Sequence, residues 1–177
     1  MNRAETKYTR IEYERRFLVS PHADWQLVIE PDAKTLEDKY LRHSRLRLRV
    51  LTDSDTGWQI IKLNKKSASD SPYFQTISRI LLAPSEYELL ACLAGDRITK
   101  TRHYHNYQGR VFSLDVFAGE LEGLVLCETE AESLAELMAV QPPPYILCEV
   151  TEDPFFTGGN LCRIRREELL HKLATLR

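Results

Sequence analysis

The segment Ile11-Glu12-Tyr13-Glu14-Arg15-Arg16-Phe17-Leu18-Val19 alternates in charge before it turns apolar. Successive side chains of a strand point to opposite faces. Glu12, Glu14 and Arg16 therefore share one face, and Tyr13, Arg15 and Phe17 share the other. Similar rows recur in Arg45-Leu46-Arg47-Leu48-Arg49-Val50, in Lys100-Thr101-Arg102 and in Glu128-Thr129-Glu130. Leu46, Leu48 and Val50 need burial, most simply beneath helices, which turns Arg45, Arg47 and Arg49 the other way. Left uncompensated in a closed interior, such charges cost several kcal/mol each. The charged face must therefore be open to water, or line a cavity holding water, counter-charges and a charged ligand.

Length and composition bound the rest. A chain of 177 residues with 43% hydrophobic content can build one cored domain, expected to span 1–177. The net charge of −2 attracts no polyanion globally, so any basic site is local. This argues against nucleic acid as a partner. Cys92, Cys127, Cys148 and Cys162 are scattered without metal-ligand spacing, as in a reducing compartment. Met1 to Lys7 leads into no apolar stretch, and no run approaches membrane-spanning length, so a cytoplasmic protein without membrane partners is expected.

Strand patterns fall near 10–19, 39–42, 45–52, 57–63, 73–82, 99–107, 110–117, 124–130 and 145–151. Hairpin turns are expected at Asp53–Gly57 and at Tyr107-Gln108-Gly109-Arg110. Helices are expected over about 20–29, over 85–94 with a Ser85/Glu88 capping box, over 132–140, and over 163–176 with Asn160 as a candidate cap. This is an α+β pattern rich in antiparallel strands, with helices outside. His103 and His105 lack a third ligand and read as structural or surface residues. Trp25, Leu27, Val28 and Ile29 read as helix-to-barrel packing.

Taken in order, the motifs resemble the CYTH superfamily, the triphosphate tunnel metalloenzymes. Glu12-x-Glu14-x-Arg16 resembles its opening Glu-x-Glu-x-Lys, and Arg47-x-Arg49 its Arg-x-Arg strand. Ile60-Ile61-Lys62, Ile98-Thr99-Lys100-Thr101-Arg102, Leu114-Asp115-Val116-Phe117, Glu128-Thr129-Glu130 and Glu149-Val150-Thr151-Glu152-Asp153 follow in family order, from about residue 11 to 161. The resemblance implies an eight-stranded antiparallel β-barrel, a tunnel that binds a triphosphate-containing small molecule with Mg²⁺ or Mn²⁺. It assigns metal binding to Glu12, Glu14, Glu128 and Glu130. Phosphate binding goes to Arg16, Arg47, Arg49, Lys62, Lys100 and Arg102, with Arg16 and Lys100 catalytic. Asp115 and Glu149 are further candidate inward carboxylates. The residue chemistry agrees. Arginine grips phosphate oxygens bidentately, and hard divalent cations take carboxylate oxygens.

Three departures from the family pattern stand out. Arg16 replaces the signature lysine, keeping the charge but not a proton that can leave. A second Glu-x-Glu is expected near Thr76 and Ser78, where no carboxylate stands, and Phe156 replaces a common aromatic hydroxyl. The expected function is metal-dependent hydrolysis of inorganic triphosphate or a related compound. The alternatives are a non-catalytic polyphosphate- or nucleotide-binding module, and a class IV adenylate cyclase or thiamine triphosphatase. The long exposed strands leave a homodimer open.

Overall fold

The computed structural model describes residues 9–176, so the expectation about the first residues lies outside them. Nine strands form one antiparallel sheet: β1 (Thr9–Val19), β2 (Lys34–Leu41), β3 (Leu46–Asp53), β4 (Gln59–Lys66), β5 (Phe74–Leu81), β6 (Gly95–Tyr107), β7 (Arg110–Phe117), β8 (Val125–Ala131) and β9 (Ile146–Glu149). Eight close into a barrel because β1 pairs with β8 through Tyr13–Leu18 and with β5 through Thr9–Tyr13. The short β9 lies outside the closed ring, against the end of β1. The β6–β7 turn places Gln108 and Gly109 at φ of 51° and 76°, the left-handed pair a tight two-residue hairpin demands.

Register decides which side chains enter the barrel. Glu14 lies opposite Glu130 and Arg16 opposite Glu128. Arg49 faces Asp38 on one side and Lys62 on the other. Arg102 lies opposite Asp115. The charged rows thus share the interior, as their alternation demands.

Two apolar clusters hold this frame. Leu18, Ile98, Phe117 and Leu126 point inward at one end and pack against Phe156, Leu161 and Leu169. Those last three come from a 3₁₀ turn (Pro154–Phe156) and from helices α3 (Gly158–Leu161) and α4 (Arg166–Ala174), which together plug that end; α1 and α2 span Pro84–Ala91 and Leu134–Met138. Helices therefore cover a barrel mouth as well as its outside. The second cluster lies on the outer face, where Phe17, Phe112, Leu114 and Cys127 meet Val140 and Tyr145.

The helical expectations need correction. The stretch expected as a helix over 20–29 forms only a 3₁₀ turn, Trp25–Leu27. Trp25 and Ile29 pack on the outer cluster, whereas Leu27 and Val28 stay exposed. Helix α1 starts one residue early, with Glu86 accepting the Ala83 N–H at 2.7 Å, so Ser85 and Glu88 form no capping box. The helix expected over 163–176 forms as α4 (Arg166–Ala174), preceded by the separate short α3. Asn160 sits inside α3 and donates to the Pro154 carbonyl instead of capping α4.

The plug fits closely at Gly158. A Cβ there would collide with the Tyr40 hydroxyl, and the Tyr40 ring already carries Arg47 at 5.9 Å from its centroid. Gly158→Ala is expected to cost about 1–3 kcal/mol through this overpacking. Thermal unfolding checks it; an unchanged midpoint would mean that the plug is loosely seated.

Candidate active site

The interior encloses a cavity of about 520 Å³, within the range of small-molecule sites. Eight cationic side chains (among them Arg16, Arg47, Arg49, Lys100 and Arg102) and six acidic ones line it. The cavity is therefore net cationic in a chain whose net charge is −2, the local imbalance that selects an anion.

The charges form three connected groups. Arg16 donates to Glu128 at 2.8 Å and to Glu14 at 2.5 Å, so its guanidinium bridges two of the acids assigned to metal. Arg102 forks onto Asp115 at 2.6 and 2.7 Å and reaches Glu128 at 3.1 Å, while Lys100 also donates to Asp115. Arg49 forks onto Asp38 with both bonds at 2.6 Å. Toward the other mouth Lys66 holds Glu12 at 2.9 Å, and Arg10 reaches Glu12 at 3.3 Å and Glu130 at 3.2 Å.

These contacts set the protonation states. Burial alone would raise Asp38, Asp115 and Glu128. The neighbouring cations outweigh it and hold all three below the ordinary carboxylate range: Arg47 and Arg49 for Asp38, Arg102 and Lys100 for Asp115, Arg16, Lys100 and Arg102 for Glu128. Burial, then Glu12, raises Glu130 above its ordinary value. Burial lowers the Lys100 ammonium below the ordinary lysine value despite Asp115.

The sign of the pH response follows. Acids depressed in the folded state stabilise it above their unfolded values, and that stability is lost as pH falls through the folded values. Glu130 acts in the opposite direction: its stabilising contribution is lost as pH rises through its raised value. Glu12, although buried, is lowered as well by Lys66 and Arg10, so four depressed acids in the cavity wall outweigh one raised acid. Stability is expected to fall steeply as pH drops below about 4, the unfolded carboxylate range. Urea midpoints across the acid range test this, and a flat profile would contradict it.

Glu12, Glu14, Glu128 and Glu130 line one cavity, as do Arg16, Arg47, Arg49, Lys100 and Arg102. Asp115 also points inward, fully buried beneath Lys100 and Arg102. Lys62 departs from expectation. It shares the inward face opposite Arg49 but does not line the cavity, and it has no ion pair among the described residues. Burial, then Arg79 and Arg49, lowers its proton affinity. Glu149 is not inward. It pairs across β9 with outward-facing Phe17, and its carboxylate takes Arg15 at 2.9 and 2.6 Å. Thr76 and Ser78 also face outward, opposite Ile11 and Thr9. The inward positions of β5 are Gln75, opposite Glu12, and Ile77, opposite Arg10, with Arg79 on the same face. The wall still has no carboxylate, but the residues standing there differ from those expected.

Sequence reasoning missed Asp38, Asn64, Lys66 and Arg79. Asp38 and Lys66 fell just beyond the expected strand ends. Extending the alternation Asp38-x-Tyr40 and Lys62-x-Asn64-x-Lys66 would have recovered them. Arg47 and Asn64 lie opposite each other, and Arg47 Nε and Asn64 Oδ1 are buried without a hydrogen-bond partner among the described residues. An orphaned guanidinium N–H facing a polar cavity is satisfied by an incoming anion oxygen.

The inorganic triphosphatase of Nitrosomonas europaea is 33% identical over 146 residues, covering 80% of this chain and 90% of that protein. The chain belongs to the CYTH triphosphatase family. The inorganic triphosphatase of Acetivibrio thermocellus is 30% identical over 156 residues, covering 86% of this chain and 93% of that one. The crystal structure of the inorganic triphosphatase NE1496 superposes with a TM-score of 0.55 at 30% identity, covering 85% of this chain and 93% of that one. No protein-family model matches the chain. The closed barrel with its charged lumen is the tunnel of this family. No helix among the described residues is long and apolar enough to cross a membrane.

The acids on β1 and β8 have the oxygen donors that a hard divalent cation takes. Among the described residues no three acidic, cysteine or histidine side chains are already gathered as a metal nest. Each acid is instead held by a cation, so Arg16 would compete with a metal for Glu14 and Glu128. The carboxylate donor set is of the kind that fits a hard divalent cation.

Proposed function

We propose that this protein hydrolyses inorganic triphosphate, or a closely related triphosphate compound, inside the tunnel with Mg²⁺ or Mn²⁺. The observation that carries this reading is the net cationic cavity, in which arginines and lysines face an acidic wall on β1 and β8. The curated relatives named inorganic triphosphatase support it.

In this reading Arg47, Arg49 and Arg102 hold the phosphates, and Arg47 Nε gains the partner it lacks. Lys62 stands outside this set, as a rim cation that an approaching anion meets. Phosphate oxygens draw Arg16 away from its carboxylates. Glu12, Glu14, Glu128 and Glu130 are the residues that would hold a divalent cation, which would supply charge neutralisation on the phosphates and a lowered proton affinity of water. Water adds to the terminal phosphorus, the bridging P–O bond breaks, and orthophosphate and diphosphate leave. Lys100 and Arg16 stabilise the charge that grows on the departing diphosphate; with its lowered proton affinity, Lys100 is the group suited to share a proton with it.

Phosphate release from triphosphate, ATP and thiamine triphosphate, with and without each metal, tests the proposal. Release from triphosphate alone is expected. Tight triphosphate binding without turnover under either metal would favour the non-catalytic module, the reading to which Arg16 and the acid-free β5 wall point. Pyrophosphate and cyclic AMP from ATP would favour the cyclase. Arg16→Lys is expected to lower the Mn²⁺ concentration for half-saturation about tenfold, because a flexible ammonium holds the two carboxylates less rigidly than a planar guanidinium does. Direct Mn²⁺ titration by electron paramagnetic resonance reads this without relying on turnover.

A further inference from the structure

A second cavity, of about 1050 Å³, lies outside the barrel between the β2–β3 turn and the α3–α4 junction. Arg42, His43, Arg45, Arg163 and Arg165 line it, against only two acids. Both acids are engaged. Asp96 holds Arg42 at 2.6 Å and Arg163 at 3.4 Å, and Glu120 accepts the Arg166 backbone N–H at 2.9 Å. Arg45 and Arg165 have no ion pair among the described residues. The groove is therefore a cationic surface, with Arg42 and Arg163 fixed by a shared carboxylate and the other guanidiniums open to a ligand.

Its position matters as much as its charge. Ser44 and Arg45 line both this groove and the tunnel cavity. Gly158 and Gly159 also line the tunnel cavity; the Tyr40 hydroxyl occupies the space beside Gly158, whereas nothing lies within 4 Å of a Cβ at Gly159. A ligand long enough to leave the tunnel past Arg45 meets the arginines next.

We propose that this groove binds the phosphates beyond the third of a linear polyphosphate whose end occupies the tunnel. The inference rests on the tunnel being a triphosphate site. The chemistry favours polyphosphate because every unit repeats the same charged oxygens, which arginines take in any register. Apart from His43, no aromatic ring lines the groove, so a single-stranded nucleic acid would find almost no stacking platform.

The test is competition binding of triphosphate and of a linear polyphosphate several dozen units long, to the wild type and to the double variant Arg163→Ala, Arg165→Ala. Both side chains are exposed and lie outside the tunnel, so folding and triphosphate affinity should be unchanged. The wild type should prefer the long chain by about tenfold or more, as expected for two linked sites. The double variant should lose that preference and keep its triphosphate affinity. Equal wild-type affinities, or a preference that survives the double substitution, would overturn the groove. An RNA with a 5′-triphosphate that gains the same advantage would overturn the polyphosphate assignment. Failure of triphosphate itself to bind would instead remove the tunnel reading, which the triphosphate arm reports separately.

Discussion

Asp115→Asn is expected to destabilise the protein by about 3–5 kcal/mol, the usual cost of breaking a buried ion pair from one side. Asp115 is fully buried and accepts both arms of Arg102 together with the Lys100 ammonium. Asparagine keeps the shape, so packing changes little. What changes is that two buried cations lose the carboxylate both of them grip, and keep Glu128 nearby, with Asp38 in reach of Lys100. Urea unfolding at neutral pH measures the loss, and a change under about 1 kcal/mol would show that Asp115 does not anchor this wall. Added triphosphate should then restore stability more strongly in the variant than in the wild type, because the ligand supplies the missing negative charge.

Glu128→Gln is expected to reduce triphosphate turnover by about a hundredfold or more, the scale of losing a group that holds both charge and position in a transition state. Glu128 is the junction of the acidic wall. It takes Arg16 on one oxygen and Arg102 on the other, and it lies across the register from Arg16. Its loss leaves Arg16 to Glu14 and Arg102 to Asp115, and removes one of four candidate metal-binding carboxylates. Triphosphate binding without metal should be retained or strengthened, while Mn²⁺ binding should weaken. That split between binding and turnover is the diagnostic. A variant with normal kcat would remove Glu128 from the reaction.

The barrel could be read from the sequence because its charge alternation is strong and repeated. Glu12-x-Glu14-x-Arg16, Arg47-x-Arg49, Lys100-x-Arg102 and Glu128-x-Glu130 each fix a face without reference to a partner strand. The β5 strand does not. In Phe74-Gln75-Thr76-Ile77-Ser78-Arg79 polar residues fall on both faces, and only pairing with β1 decides that Gln75 turns inward. A slip of one residue put Thr76 and Ser78 in the tunnel. Glu149 failed for a different reason. Its alternation is sound, but β9 lies outside the ring, where Arg15 takes its carboxylate. Asp38 escapes because the strand expected over 39–42 starts five residues earlier, at Lys34. The 20–29 stretch carries helical signals, yet it has only enough apolar side chains to tack Trp25 and Ile29 onto the outer cluster.

The double pairing of β1 has a consequence for how the chain is made. Its partners on β5, β8 and β9 begin at residues 74, 125 and 146, so a growing chain extrudes β1 long before any of them exists. A naked strand in that interval invites pairing with other nascent chains. Glu12, Glu14 and Arg16 make that encounter costly, since stacking copies in register would set like charges side by side. The charges that later surround the cavity thus also keep the first strand solitary until its proper neighbours are synthesised.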